Sequence, residues 1–411
     1  MSARMRPYWT SRLAESRKPR FPSLRGHVDV EVAIVGGGLF GCTTAYVLAA
    51  AGVRVALIEA KRIGQQATAA APGVIVPEPA VPLVTLDAMH GRRAARAAWE
   101  MSRRAALDFA ALLRRLGVRA ELEPVEIANY LSAREEGREL EREGRLRREM
   151  GIEGQWLTAA RASAQLRTES SGAIRVKAGA TFDPYRASLG LVRAAKSHRA
   201  KIFEGSPVVA IKQGGGRARD AMPLQISTAR GLVTASKVIV TTGGPTRLFR
   251  PITRRFTPLV TYRVVTEPLS AALRHHLPAS PFVLREATCP GHLLRWTRDH
   301  RLLFAGVERL RLPERSRPAA LVQHSAQLMY ELSLLYPDLS GIRADYAWDA
   351  RISASDDGLP RIGPHRHYPR HLFALGAGRA DDGSALLAAS ILLRHVTGTA
   401  EKQDALWGFG R

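Results

Sequence analysis

Val30-Glu31-Val32-Ala33-Ile34-Val35 runs directly into Gly36-Gly37-Gly38-Leu39-Phe40-Gly41, and the reading of this stretch decides the fold. A β-branched run cut off by glycines reads as a buried strand. Residues 39–51 follow with small and apolar side chains at helical spacing, Gly52 stops the helix, and residues 53–58 form a second apolar run. Together they predict a βαβ unit. In Gly36-x-Gly38-x-x-Gly41 the first glycine permits the tight turn, the second lets a pyrophosphate reach the backbone, and the third lets helix and strand pack closely. The helix N-terminus adds N–H groups and a favourable dipole. Glu59 closes the second strand, where a carboxylate can accept both ribose hydroxyls of an adenosine, and an acid there argues against a 2′-phosphorylated cofactor. A glycine turn in an unrelated α/β fold is the alternative, and the strand-helix-strand-acid context disfavours it.

Outward from this unit, two further glycine turns end apolar runs. One is Val238-Ile239-Val240-Thr241-Thr242-Gly243-Gly244-Pro245, and the other is Leu375-Gly376-Ala377-Gly378 through Gly383, which opens a final helix over 381–397. A single long ligand explains three such turns together, and FAD is long enough to span them. Residues 91–179 read as Arg/Glu/Ala/Leu-rich helical sequence, with 133–150 as a solvated helix laced with i,i+4 pairs. A helix near 187–199, strands near 207–212, 223–229 and 237–242, strand-like sequence over 256–310 and an amphipathic helix over 319–336 complete the pass.

The 411 residues are 45% hydrophobic, enough for two to three domains with a substantial core. Lys and Arg number 61 against 37 Asp and Glu, a net charge of +24, and 53 of the bases are Arg. Such an excess fits either an anionic partner such as nucleic acid or a compositional Arg bias on an enzyme. Two cysteines, Cys42 and Cys289, exclude a disulfide scaffold and a Cys-rich zinc site, and point to a reducing compartment. No apolar run is long enough to span a membrane. The expected location is cytoplasmic, although the basic segment 1–25 reads equally as a targeting peptide or as an ordered arm anchored by Trp9, Phe21 and Pro22.

The chain resembles, nearly end to end, the amine and amino-acid oxidoreductases of the D-amino-acid oxidase family, which includes glycine and sarcosine oxidases. The residues carrying this are Tyr8-Trp9, the fingerprint from Asp29 to Gly41, Leu57 to Gly64, Phe182-Asp183-Pro184, Val240 to Gly244, Thr266-Glu267-Pro268-Leu269, Trp348 with Arg351, Asp357 to Pro364, and the loop from Gly378 to Gly383. The resemblance implies an α/β fold: a discontinuous Rossmann-like FAD domain, joined to an α+β substrate domain whose antiparallel sheet covers the flavin. The expected partition is an arm at 1–26, the FAD domain at 27–90, 180–250 and 345–411, and the substrate domain at 91–179 and 251–344. It also implies non-covalent FAD and oxidation of a C–N bond, with oxygen or another carrier as electron acceptor.

The candidate cofactor residues are Gly36, Gly38, Leu39, Phe40, Gly41, Glu59, Ala60, Lys61, Thr68, Val208, Thr242, Gly243, Gly378, Asp382, Gly383 and Ser384. Candidate catalytic residues are Arg351, Tyr262 and Asp382, with Arg263 and Arg295 as further cations for a substrate carboxylate. No metal is expected, and His275-His276 lack a matched acid partner. Two departures from the family pattern stand out. Relatives carry a Gly-Ala-Ser-Gly-Arg-Asn-like turn where this chain has Gln66-Ala67-Thr68-Ala69-Ala70-Ala71-Pro72-Gly73, and Asp382 takes a place where a His often sits. The expected substrate is a small amine or amino acid. A modified tRNA base, or an FAD-holding subunit without turnover, are the alternatives.

Overall fold

The computed structural model describes residues 3–132, 137–213, 223–279, 281–288, 291–378 and 383–410. The strand Gly26–Val35 lies between Gly231–Gly243 and Val55–Ile58, parallel to both, in register Ile34 to Ile239 and Ile34 to Leu57. Its residues Val32, Ala33 and Ile34 are buried on both faces, which is why the run is apolar without alternation. The sheet continues through Lys201–Phe203 on one side and Tyr368–Leu375 then Arg361–His365 on the other, and Ala210–Gln213 and Leu224–Ser227 extend it from Gly231–Gly243. Helix Leu39–Ala50 packs between helices Pro184–Ser197 and Ser384–Thr397. Asp183 starts helix Pro184–Ser197 by accepting the Arg186 N–H at 2.9 Å, with Pro184 in its first turn.

The second sheet has the order Ala344–Ser355, Phe256–Thr266, Leu302–Leu310, Leu293–Trp296, Phe282–Glu286, Glu123–Ser132, Ser170–Thr181 and Val74–Ile75, with Gln155–Thr158 on the edge of Ser170–Thr181. Its strands are antiparallel except where Phe282–Glu286 runs parallel to Glu123–Ser132. Helix Arg317–Leu335 covers its outer face, burying Leu321, Leu328 and Leu332 against Val260, Tyr262, Val264 and Phe304. The inner face, carrying Trp348, Ala350, Val265, Leu303 and Ala305, joins the core of the first sheet.

Sheet membership differs from the expected partition. Residues 91–179, read as helical, contain three strands, because alternating sequence such as Val125 to Leu131 was outweighed by the charged helices around it. Helix Arg92–Arg115 packs on Ser384–Thr397 and so sides with the cofactor sheet, whereas Ala344–Ser355 belongs to the second sheet. The helix read as solvated, here Arg138–Glu149, buries Glu143 and Arg147. The arm packs on the body of the protein. Tyr8 and Trp9 are each 1% exposed, the Arg4 N–H reaches the Asp345 carbonyl, and Glu204 holds the Phe21 N–H.

Candidate functional site

At Gly36 the backbone turns with φ +113°, and a Cβ there would lie 2.7 Å from the Thr241 carbonyl oxygen. A Cβ on Gly41 would lie 1.8 Å from the Gly36 oxygen, so this glycine lets the helix close on the strand. Gly38 differs: a Cβ would meet only the Thr68 hydroxyl, at 3.2 Å. Its missing side chain therefore leaves open space over the backbone, which is where a diphosphate needs to come close. The first helical bond runs from the Cys42 N–H to the Gly38 carbonyl, Leu39 gives its N–H to Thr68 Oγ1 at 2.8 Å, and the Phe40 and Gly41 amides lie at the free helix end.

Glu59 is 8% exposed and accepts the Gly37 N–H at 2.6 Å and the Lys61 N–H at 2.8 Å, one on each oxygen. A carboxylate has about four acceptor sites, so capacity remains for two hydroxyls. The Glu59 backbone bonds to Phe203 and Ser206 bring the half-buried Val208 into the same neighbourhood, while Ala60 and Lys61 are exposed at its rim.

The other two glycine turns meet behind this cradle. Thr241 Oγ1 reaches the Gly36 carbonyl at 2.9 Å, and Thr242 Oγ1 closes its own turn onto Gly244 at 2.8 Å. Gly243 accepts the Gly376 N–H, and Gly378 donates to Ser353, where a Cβ on Gly378 would lie 2.7 Å from Ile352 Cβ. Strand Ala344–Ser355 of the second sheet thus touches the third turn directly. Gly383 precedes helix Ser384–Thr397, and Ser384 lines a small cavity with Glu78, Leu359, Pro360 and Trp407. Asp382 and Cys289 lie outside the described residues.

The candidate catalytic pair is not at this site. Paired residues share a face of a sheet, and the register sets Tyr262 opposite Asp349, Val260 opposite Arg351 and Arg263 opposite Trp348. Tyr262 is buried on the outer face, its ring 4.4 Å from that of His324. Arg351, on the same side, donates to the exposed Glu314 at 2.5 Å. The strand was read correctly, but its side chains alternate, so the neighbour Arg263 occupies the inner face. Arg295 is inner too, yet its guanidinium is spent on backbone carbonyls of Trp296, Pro72, Gly73 and Phe182. His276 does have an acid partner, Asp338 at 3.3 Å on the surface, and its ring lies edge-on to that of His275, while no metal-binding cluster occurs among the described residues. Cys42 is fully buried, which pushes its thiol pKa up and keeps it unreactive.

The residues that sequence reading missed form a buried polar cluster. Glu78 accepts from Asn129 Nδ2 at 2.9 Å, Arg147 Nη1 at 2.7 Å and Arg285 Nη1 at 3.1 Å. Burial alone would raise its pKa, but Arg147 and Arg285 outweigh that and hold the carboxyl below its ordinary range. Glu143 accepts from Arg147 Nε and from the Leu83 and Val84 amides that begin helix Leu83–His90, and the Arg147 guanidinium lies 4.4 Å from the Trp99 ring centroid. The i,i+4 pair Glu143 and Arg147 beside Gly144 was the available signal, masked by the charged residues around it.

These features fit FAD: open space over Gly38, free helix-end amides, an acid with spare acceptor sites, and three glycine turns in contact. The chain is 24% identical to the γ-glutamylputrescine oxidoreductase of Escherichia coli over 404 residues, covering 94% of this chain and 88% of that one. It is also 24% identical over 410 residues to the probable oxidoreductase OrdL of Haemophilus influenzae, covering 95% and 88%. Glycine oxidase from Geobacillus kaustophilus superposes with a TM-score of 0.75 at 20% identity, covering 93% of this chain and 99% of that one. L-Amino acid deaminase from Proteus myxofaciens gives 0.75 at 15% identity, covering 95% of each. Residues 31–393 match the family DAO, described as FAD dependent oxidoreductase, and the chain belongs to that family, with FAD as its cofactor.

Proposed function

We propose that the protein oxidises the C–N bond of a small amine or amino acid. When bound, FAD supplies the hydride acceptor for the carbon next to nitrogen, and the imine product is then hydrolysed by water. The observation that carries this reading is the contact of the third glycine turn with Ile352 and Ser353, which sets the inner face of the second sheet over the cofactor cleft. The names of the related γ-glutamylputrescine oxidoreductase, glycine oxidase and L-amino acid deaminase support an amine or amino-acid substrate.

On that inner face Arg263 and Trp348 stand opposite each other, and Arg285 is pinned through Nη1 by Glu78 with a quarter of its side chain exposed. A guanidinium held on one side and open on the other is prepared to orient an anionic group of the substrate. Glu59, Thr68 and the amides of Phe40 and Gly41 hold the cofactor, with Ser384 at the start of the last helix.

The test is anaerobic mixing of the yellow holoprotein with a panel of primary and secondary amines and amino acids, read as loss of flavin absorbance. Bleaching by at least one is the expected result. A flavin that no member bleaches would overturn the proposal and favour an FAD-holding subunit without turnover.

A further inference from the structure

Residues 69–73 read Ala-Ala-Ala-Pro-Gly and carry no polar side chain with which to anchor themselves. They follow Thr68, whose hydroxyl takes the Leu39 amide in the cofactor cradle. Their backbone is nonetheless held at every carbonyl from Ala70 to Gly73. Trp348 Nε1 donates to Ala70 at 3.1 Å, and Trp9 Nε1 donates to Ala71 at 2.8 Å. Arg295 Nη1 donates to Pro72 at 3.0 Å and also to Gly73. The Arg295 guanidinium lies 5.2 Å from the Trp9 ring centroid, so two of the three donors brace each other. Gly73 has φ +70°, and a Cβ there would lie 2.3 Å from the Phe182 carbonyl and 3.0 Å from Arg295 Nη1.

We propose that Trp9, Arg295 and Trp348 are positioning residues for the cofactor loop: they fix residues 70–73 by their carbonyls, and so set where Thr68 stands against the FAD-binding backbone. The donors come from the arm, from the strand Leu293–Trp296 and from the strand Ala344–Ser355, three parts of the chain far apart in sequence. Satisfying buried carbonyls would need only some donor. Three rigid side chains on four successive carbonyls fix direction as well as place, because each peptide plane turns as a unit. The loop therefore depends on donors outside itself, and the N-terminal arm becomes part of the cofactor site through Trp9.

This inference rests on FAD occupying the cradle, and the experiment separates the two. Trp9→Phe keeps an aromatic ring, a smaller one, and removes the N–H. In the full-length holoprotein it should weaken FAD retention about three- to tenfold and alter the visible circular dichroism of the bound flavin, with the far-ultraviolet spectrum unchanged. Arg4→Ala, which cuts the arm's bond to the Tyr346 hydroxyl instead, should change neither flavin reading. Arg295→Lys is the second variant, since an ammonium has no second nitrogen to hold the Trp296 carbonyl while the first serves Pro72 and Gly73, and it should move the flavin spectrum in the same way. A yellow wild type with Trp9→Phe and Arg295→Lys variants identical to it in both readings overturns the positioning role alone. A wild type that binds no FAD overturns the cofactor assignment as well.

Discussion

The Glu59 carboxylate and the Gly37 amide lie 2.6 Å apart, joining the end of the second strand to the middle of the glycine turn. A carboxylate held this way is oriented before any ribose arrives. Glu59→Ala should weaken FAD binding by about ten- to a hundredfold, the scale of lost charge-assisted hydrogen bonds, as measured by titration of the apoprotein.

The glycines of the fingerprint should separate into two classes. Gly38→Ala meets only the Thr68 hydroxyl, so the protein should fold with unchanged circular dichroism and purify with little flavin. Gly41→Ala drives a methyl into the Gly36 carbonyl and should abolish soluble expression. Full FAD occupancy in Gly38→Ala would show that the diphosphate does not cross that residue.

Arg351 and Tyr262 should prove dispensable for turnover. Arg351 makes a solvent-exposed ion pair with Glu314, and Arg351→Ala and Tyr262→Phe should keep kcat/KM within about threefold of wild type. Arg263→Met, on the opposite face of the same strand as Tyr262, should lower it at least tenfold. The reverse order would put the substrate on the outer face.

His292 lies between Glu286 at 2.7 Å and Glu331 at 2.9 Å. Burial lowers its pKa, but the two carboxylates prevail and raise it to about 9. Because the folded value exceeds the unfolded one, this stabilisation is complete below about pH 6.5 and is lost as the pH rises through about 9. Below about pH 6.5 it is worth on the order of 3 kcal/mol, and it declines steadily from there as the pH approaches 9. Chemical denaturation should show stability falling from pH 7 to 9.5 in the wild type, and a flatter profile in His292→Gln.

Arg147 sits between Glu78 and Glu143, all three 5% exposed or less. Arg147→Met leaves two buried carboxylates without their shared cation and should cost about 3–5 kcal/mol in denaturant unfolding. A loss under 1 kcal/mol would mean that water replaces the guanidinium.

The cofactor half of this protein is legible because its requirements are local. Gly36, Gly38, Gly41 and Glu59 fall within one βαβ unit, and each is needed for a reason that neighbouring residues reveal. The substrate half is not, since the face a strand residue occupies depends on pairings made across long stretches of chain. Tyr262 falls on a strand that the sequence shows but on its outer face, as does Arg351 on a strand that the sequence does not mark, because alternation fixes two sets of residues without saying which is inside. Glu78, Asn129, Arg147 and Arg285 were missed for a related reason. They come from four separate stretches of the chain, and 53 arginines hide the two that hold Glu78.

The arm has a consequence for the order in which the molecule is built. Tyr8 and Arg12 are made long before their partners Asp299 and Tyr346, and Arg4 waits for a residue 342 positions later. Contacts of such separation form last, after the sheets that create their binding surface exist. On the positioning role proposed for Trp9, the cofactor loop takes its final shape when the arm docks, and a bulky group fused ahead of the arm should slow FAD loading.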